Sequence, residues 1–566
     1  MRLSSFHLLQ FLLVRFNSTT NFPSLSKIPT KHRAQAVQQA QEVIIDYLHS
    51  TRALPFTYAE FISKNSIYNL SELISKVHYS STDFRKTLLK FVRYNPINEL
   101  GFFYESIGID YANINGFLKP NVHFLSEDST VLDVACTLAE LGFPWNRLGK
   151  LYVEEASILE QNSEFLGKKF DGLLNMGFGK EQAIGIFLAF PFLLKREEAG
   201  PSVRSDKLLN DIKRVFIDFD LKNYLVGNVD VWYEVCRKIK VFYDLGVEKG
   251  MVAELDGKIK SIFIDYNERV LAEKVEFFCK LGVQRADVGL LLLENSEILS
   301  IELANQVISV SGLLEHFGLH KEELRTLLQK FPYIFGRNKM SNLPHILRAM
   351  DLQEWFFGRL KLGDHKLLAT YDFSSSNEGE DTKYVQNMEK IIRKRTCCYS
   401  LSKLEFLHGI GFGENDFAMK LLFNVHGSSC ELQERFDFLL NEGIVFSKLC
   451  KMIVQAPKFL NQDLDNLKRK LDFLRHELGL SFDFVETFPT YFVYNLEKRI
   501  KPRYRFHVWL TKQGWVTKKY SISGIIAISH KGFLTQLSKI HPRAPRLWLE
   551  QCRQKEKYSE SNENAS

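Results

Sequence analysis

The chain of 566 residues is too long for one compact core; it has room for three or four ordinary domains or one long repeat array. Abundant Phe with sparse Pro and Gly excludes a disordered chain, and no apolar run reaches the roughly 18 residues of a membrane-spanning helix. The formal charge of +7 hides a split: residues 1–41 carry +5 and residues 498–546 carry +12, both without an acid, leaving a body of net −10.

The first 41 residues, "MRLSSFHLLQFLLVRFNSTTNFPSLSKIPTKHR" and onward to Gln41, are rich in Ser, Thr and aliphatics, carry spaced Arg, and precede the first acid, Glu42. That is the composition of an organellar transit peptide. Arg15 directly after "LLQFLLV" and the absence of a small-residue cleavage site count against a secretory signal. The expected address is the mitochondrion, with the chloroplast as the alternative. Eight scattered cysteines without a CxxC pair read as reduced thiols of an intracellular compartment.

An N-terminal helical region is expected over 42–95. From there a short signature recurs, a helical apolar stripe ending in a Gly flanked by hydrophobics. It falls at Gly108, Gly142, Gly177, Gly246, Gly282, Gly318, Gly411, Gly443 and Gly479, mostly 32 to 36 residues apart. The double interval before Gly246 implies a degenerate unit over 196–240, and the long interval before Gly411 contains a polar insertion, "SSSNEGEDTKY" at 374–384. Leu464, Leu467, Leu471, Leu474 and Leu478 show the stripe, three or four residues apart on one helix face. The Gly then stands where a helix end needs a left-handed residue.

A second mark follows. Pro191, Pro332 and Pro457 each come fourteen residues after their Gly and precede an apolar patch, and Pro489 comes ten after Gly479. Proline cannot continue a helix interior, so it starts a short third helix. One such unit cannot bury its own stripe; the fold class expected is all-α, with about 35-residue helical units stacked into an α-solenoid. The segments are a first repeat block over 96–360, a polar insertion or linker over 361–395, C-terminal repeats over 396–510, a basic extension over 511–546 and a disordered tail over 547–566.

These units resemble those of the mitochondrial transcription termination factor (mTERF) family, in which helix, Gly-hydrophobic turn, helix, Pro-x-hydrophobic-hydrophobic and short third helix succeed one another. "FPTYFVYNLEKRIKPRYRFHVWL", ending at Leu510, is similar to the hallmark of that family's last repeat. The resemblance implies a right-handed, half-doughnut superhelix with a basic concave face. It also implies binding of organellar double-stranded DNA or RNA in transcription termination, transcription regulation or transcript processing. Members of the organelle's gene-expression machinery are possible protein partners; a monomer away from the membrane is expected.

The acid-free end supplies the candidate nucleic-acid-binding residues: Lys498, Arg499, Lys501, Arg503, Arg505, Lys518 and Lys519. Lys and Arg neutralise phosphates and release condensed counterions. Arg499, Arg503 and His507, four apart, form a row that could face a phosphate backbone, beside an apolar row of Leu496, Ile500, Tyr504 and Val508. Interleaved Trp509, Trp515 and Tyr520 could stack on bases. Pro502 is expected to open a new helix. The rival reading is a protein-binding scaffold whose basic end serves solubility.

No catalytic constellation is found. "MGFGKEQ" around Gly177, Gly179 and Lys180 lacks the spacing and hydroxyl of a phosphate-binding loop. In "HFGLH", Gly318 breaks the helix between His316 and His320, which disfavours a metal site. Neither an enzyme nor a cofactor is expected.

Overall fold

The structure is a computed structural model that describes residues 25 and 27–552, except 196–202, 219–220, 222–227, 255–259, 304–305 and 372–380. The described chain is mostly helical and forms two compact units, 1–271 and 272–566.

In the first unit the helices Arg33–Asp46, Phe56–Asn65, Ile67–Ser75, Phe84–Tyr94 and Glu99–Ser106 pack together ahead of the repeats. Two buried carboxylates tie them. Glu99 accepts from Arg52 Nε at 2.5 Å, Tyr47 Oη at 2.7 Å and the Leu125 amide at 3.0 Å. Glu105 accepts from the amides of Tyr68 and Asn69, the exposed start of a helix. Residues 33–41 belong to the helix Arg33–Asp46, and its Ala36 and Ala40 are buried. The packed body therefore begins ahead of residue 42, and a leader reading is left with residues 1–24, which lie outside the described ones.

All nine glycine anchors have φ between 63° and 104°, as the repeat signature requires. At Gly142 the glycine amide bonds Ala139 O at 2.9 Å and the Phe143 amide bonds Leu138 O at 3.0 Å, the paired closure of a Schellman end. The same pair recurs at Gly108, Gly177, Gly246, Gly318, Gly411 and Gly443. This closure turns the next residue inward: Phe143, Phe178, Val247, Phe412 and Ile444 are all buried. The hydrophobic residue after each Gly has thereby its physical reason.

Among the described residues, Asp351 and Gly514 make further turns of this kind. Asp351 sits at φ 58°, with Leu352 bonded to Leu347 O at 2.9 Å, so an Asp takes the glycine's place 33 residues after Gly318. Gly514 sits at φ 72°, 35 residues after Gly479, with Trp515 bonded to Leu510 O. The long interval before Gly411 thus holds a hidden unit, and the array runs on into the segment read as a basic extension. In the first unit two of the turns abut the following repeat: a Cβ on Gly108 would meet Asn146 O, and one on Gly142 would meet Lys180.

Short third helices open at Pro191, Pro457 and Pro489, as the spacing predicts. Ser296–Ser300 forms one without Pro. After Pro332 the chain instead turns into a strand, Arg337–Lys339, paired antiparallel with Val307–Ser309 in the register Ile308 to Asn338. The all-α expectation misses this three-residue ribbon. Much of 361–395 is also structured, since Thr382–Ile392 is a helix capped by Asp381 with Tyr384 buried; residues 372–380 of the insertion lie outside the described ones.

A basic side chain on the long helix of several repeats turns inward and donates to carbonyls at the end of that repeat's last segment. Lys238 Nζ reaches Phe263 O at 2.7 Å and Lys274 Nζ reaches Ile301 O at 2.7 Å. Lys403 Nζ takes Leu422 O and Val425 O, both at 3.0 Å; Arg435 Nη1 takes Leu460 O at 2.8 Å. Four of these cations stand eight residues before their Gly. In the next unit Lys470, fully buried, holds Phe492 O at 2.5 Å. Helix ends expose unpaired carbonyls and carry partial negative charge, so a buried cation there is both a donor and a counter-charge.

Candidate nucleic-acid interface

The acid-free end folds into a helical module. Leu496–Ile500 is one wide turn, with the Ile500 amide bonded to Asn495 O, five residues back. It runs directly into the helix Lys501–Lys512, so Pro502 follows the wide turn within an unbroken helical course instead of opening a separate helix. Ile522–Ala527 and His530–Ile540 follow, each capped by a serine, Ser521 or Ser529. Residues 544–552 are helical too. Phe506, Leu510, Ile525, Phe533, Leu537, Ala544 and Trp548 form a shared core. The segment 511–546 is therefore a packed part of the fold, and the helix continues through 547–552, the start of the segment expected as a disordered tail; residues 553–566 lie outside the described ones.

The candidate cations separate by what they touch. Arg503 is buried: its Nη1 donates to the carbonyls of Ile525, Ile526 and Ile528 at 3.2, 3.1 and 2.5 Å, and its guanidinium lies over the Phe533 ring. Burial, with Arg499 nearby, pushes its pKa down to about 10, which still leaves it charged at neutral pH. Arg499 donates to Ile526, Ala527 and Ile528 O at 2.8 to 2.9 Å and covers Tyr494. These two arginines perform the inward clamp of the last unit, holding the carboxyl end of Ile522–Ala527. The row read as facing phosphate faces carbonyls instead, and His507 lies edge-on to Tyr520 with its pKa lowered by burial.

Lys501 pairs with Glu497 at 2.5 Å, and Arg505 forms a bidentate pair with Glu477 at 2.7 and 2.9 Å. Arg505 remains more than half exposed, so Arg505→Ala is expected to cost under about 1 kcal/mol of stability in a urea titration. Lys498, Lys518 and Lys519 are exposed and have no ion-pair partner among the described residues. The same holds for Lys512, Lys531, Lys539 and Arg543, which the short candidate set omits. Between Ile522–Ala527 and His530–Ile540 runs an open groove of about 640 Å³ bordered by Tyr520, Lys531 and Lys539. Trp509 is exposed and stacks on Phe506 at 5.6 Å, while Trp515 lies flat on His541 at 3.8 Å. The surface left after the clamps is thus cationic, aromatic and without acids between Lys498 and Arg546.

The profile of the mTERF family matches residues 229–354 and 402–534, a span that includes Gly514 and the helix after it. Over 543 residues the chain is 44% identical to the Arabidopsis thaliana transcription termination factor MTEF18, mitochondrial, covering 96% of this chain and 97% of that protein.

The chain belongs to the mTERF family.

It is also similar, at 24% identity over 64% of its length, to the chloroplastic transcription termination factor MTERF8 of Arabidopsis thaliana, of which 76% is covered. A shorter match, 25% identical over 21% of the chain, links it to the mitochondrial MTERF15 of the same plant. This mTERF protein is a close homologue of a mitochondrial transcription termination factor, belongs to a family of transcription factors rather than enzymes, and is mitochondrial. No described helix is long and apolar enough to cross a membrane.

Proposed function

We propose that this mTERF protein binds mitochondrial DNA or RNA through the exposed cations of its C-terminal module, and so controls transcription termination or transcript processing. The observation that carries the reading is the sorting of the basic side chains. Arg499 and Arg503 are used up by carbonyls, yet Lys498, Lys512, Lys518, Lys519, Lys531, Lys539 and Arg543 stay exposed without a paired acid among the described residues. Such a surface binds phosphates by counterion release, which does not depend on base identity. The relative MTEF18 is named a transcription termination factor, and its near-complete alignment supports the same role here.

The test is a salt titration of binding to duplex DNA and to single-stranded RNA. The triple change Lys518→Glu, Lys519→Glu, Lys531→Glu is expected to flatten the log–log salt dependence by about 2 to 3 and to weaken binding at least roughly tenfold at moderate salt. Unchanged affinity, or no binding by the wild type at low salt, overturns the reading and leaves a protein-binding scaffold.

A further inference from the structure

The helix Phe84–Tyr94, "FRKTLLKFVRY", lies outside both matched stretches of the family and contains no acid. Its apolar stripe, Phe84, Leu88 and Val92, is buried against the first unit. Its other face shows four cations. Arg85 turns to Asp46 at 2.8 Å and Glu42 at 3.6 Å. Lys86, Lys90 and Arg93 are exposed and have no ion-pair partner among the described residues.

Their spacing is four and then three residues, so each stands beside the next on one helical face. Like charges so placed repel and weaken the helix. Four other exposed lysines do have an acid one turn away: Lys64 with Glu60, Lys76 with Glu72, Lys168 with Glu164, Lys420 with Asp416. On Phe84–Tyr94 the repulsion stands uncompensated, the kind of local conflict that a bound polyanion relieves. Beside Arg93, Tyr94 is 77% exposed, and its ring has no partner among the described residues.

We infer that this helix is a second grip, for single-stranded nucleic acid. Lys86, Lys90 and Arg93 meet neighbouring phosphates of one strand, and the Tyr94 ring stacks on an unpaired base. Lys86 and Lys90 are about 6 Å apart along the axis, comparable to the spacing of phosphates along a strand. The inference rests on the proposed nucleic-acid function and adds to it the strand form and a separate contact. An acidic membrane is the poorer fit: the helix has already buried its apolar face and has none left to enter lipid.

The test uses the full chain and three changes that neutralise the stripe, Lys86→Gln, Lys90→Gln and Arg93→Gln. Binding is measured against an oligouridylate RNA and a duplex of about 20 units each across a salt series. For the RNA, the log–log slope is expected to fall by about 2. Tyr94→Ala is expected to weaken RNA binding roughly tenfold while leaving the duplex nearly unchanged. Because neutralisation removes repulsion, the triple variant should melt at or above the wild-type temperature, so weaker binding cannot be lost folding.

Unchanged slope and affinity, in a protein whose C-terminal triple variant has lost binding, overturn the second grip and leave the proposed function standing. A wild type without affinity for either nucleic acid overturns both. If the neutralised stripe loses binding only to vesicles of phosphatidylcholine with phosphatidylglycerol, and keeps that to RNA, the grip is also overturned.

Discussion

Gly108→Ala is expected to destabilise the protein by about 3–5 kcal/mol, whereas Gly479→Ala costs about 1 kcal/mol, although both glycines stand at the end of a repeat helix. Each is left-handed, at φ 98° and 63°, so any Cβ brings backbone strain. What separates them is space. A Cβ on Gly108 would stand 2.2 Å from Asn146 O, a backbone atom of the next repeat, while nothing lies within 4 Å of one on Gly479. The Gly108 turn cannot yield alone, because the Gly149 amide donates to Ile107 O at 2.7 Å and holds the two segments together. Urea titration of both variants by circular dichroism checks this; equal midpoints would refute the role given to repeat contact.

Lys470→Met is the second large effect, at about 2–4 kcal/mol. The methylenes are replaced with little change in volume, but Phe492 O, inside the last repeats, loses a charged donor. The exposed Lys498→Met should change stability by less than about 0.5 kcal/mol. A pH series adds a sign. Burial pushes the Lys470 ammonium down to about 8 from its ordinary 10.5. Between those values the unfolded chain binds more protons than the folded one, so this group's contribution to stability rises as pH climbs through the window. Below about pH 8 both states are protonated and its contribution is level. The gap between wild type and Lys470→Met should therefore widen from pH 8 to pH 10; a gap that narrows would contradict the buried amine.

The repeats were legible because their mark is a physical requirement. A helix that ends in a Schellman turn needs a residue at ease with positive φ and a hydrophobic one after it, and both are written as letters. Asp351 escaped because aspartate meets the same requirement under a different letter. Gly514 carries the same mark, but it stands among lysines and arginines and follows Gln513, so charge masks the period there. The ribbon at 307–309 and 337–339 is too short for an alternating pattern to register. The candidate interface was read less well than the fold. Composition counts cations; it does not say whether a guanidinium meets a phosphate or a carbonyl. Arg499 and Arg503 look like surface charge in one dimension and are fastenings in three. Conversely, the spacing of Lys86, Lys90 and Arg93 puts them on one helical face, but only the burial of the opposite stripe shows that this face is turned to solvent.

The inward cations bear on how such a chain is put together after import. A mitochondrial precursor is threaded unfolded and must fold again as it emerges. Each clamp joins residues only 19 to 29 positions apart: Lys403 to Leu422, Lys470 to Phe492, Lys238 to Phe263, Arg435 to Leu460, Lys274 to Ile301, Arg499 to Ile528. Closing loops this short loses little chain entropy, and contacts local in sequence form quickly. A repeat can thus lock its own last carbonyls as soon as its final segment clears the channel, before the next repeat has arrived.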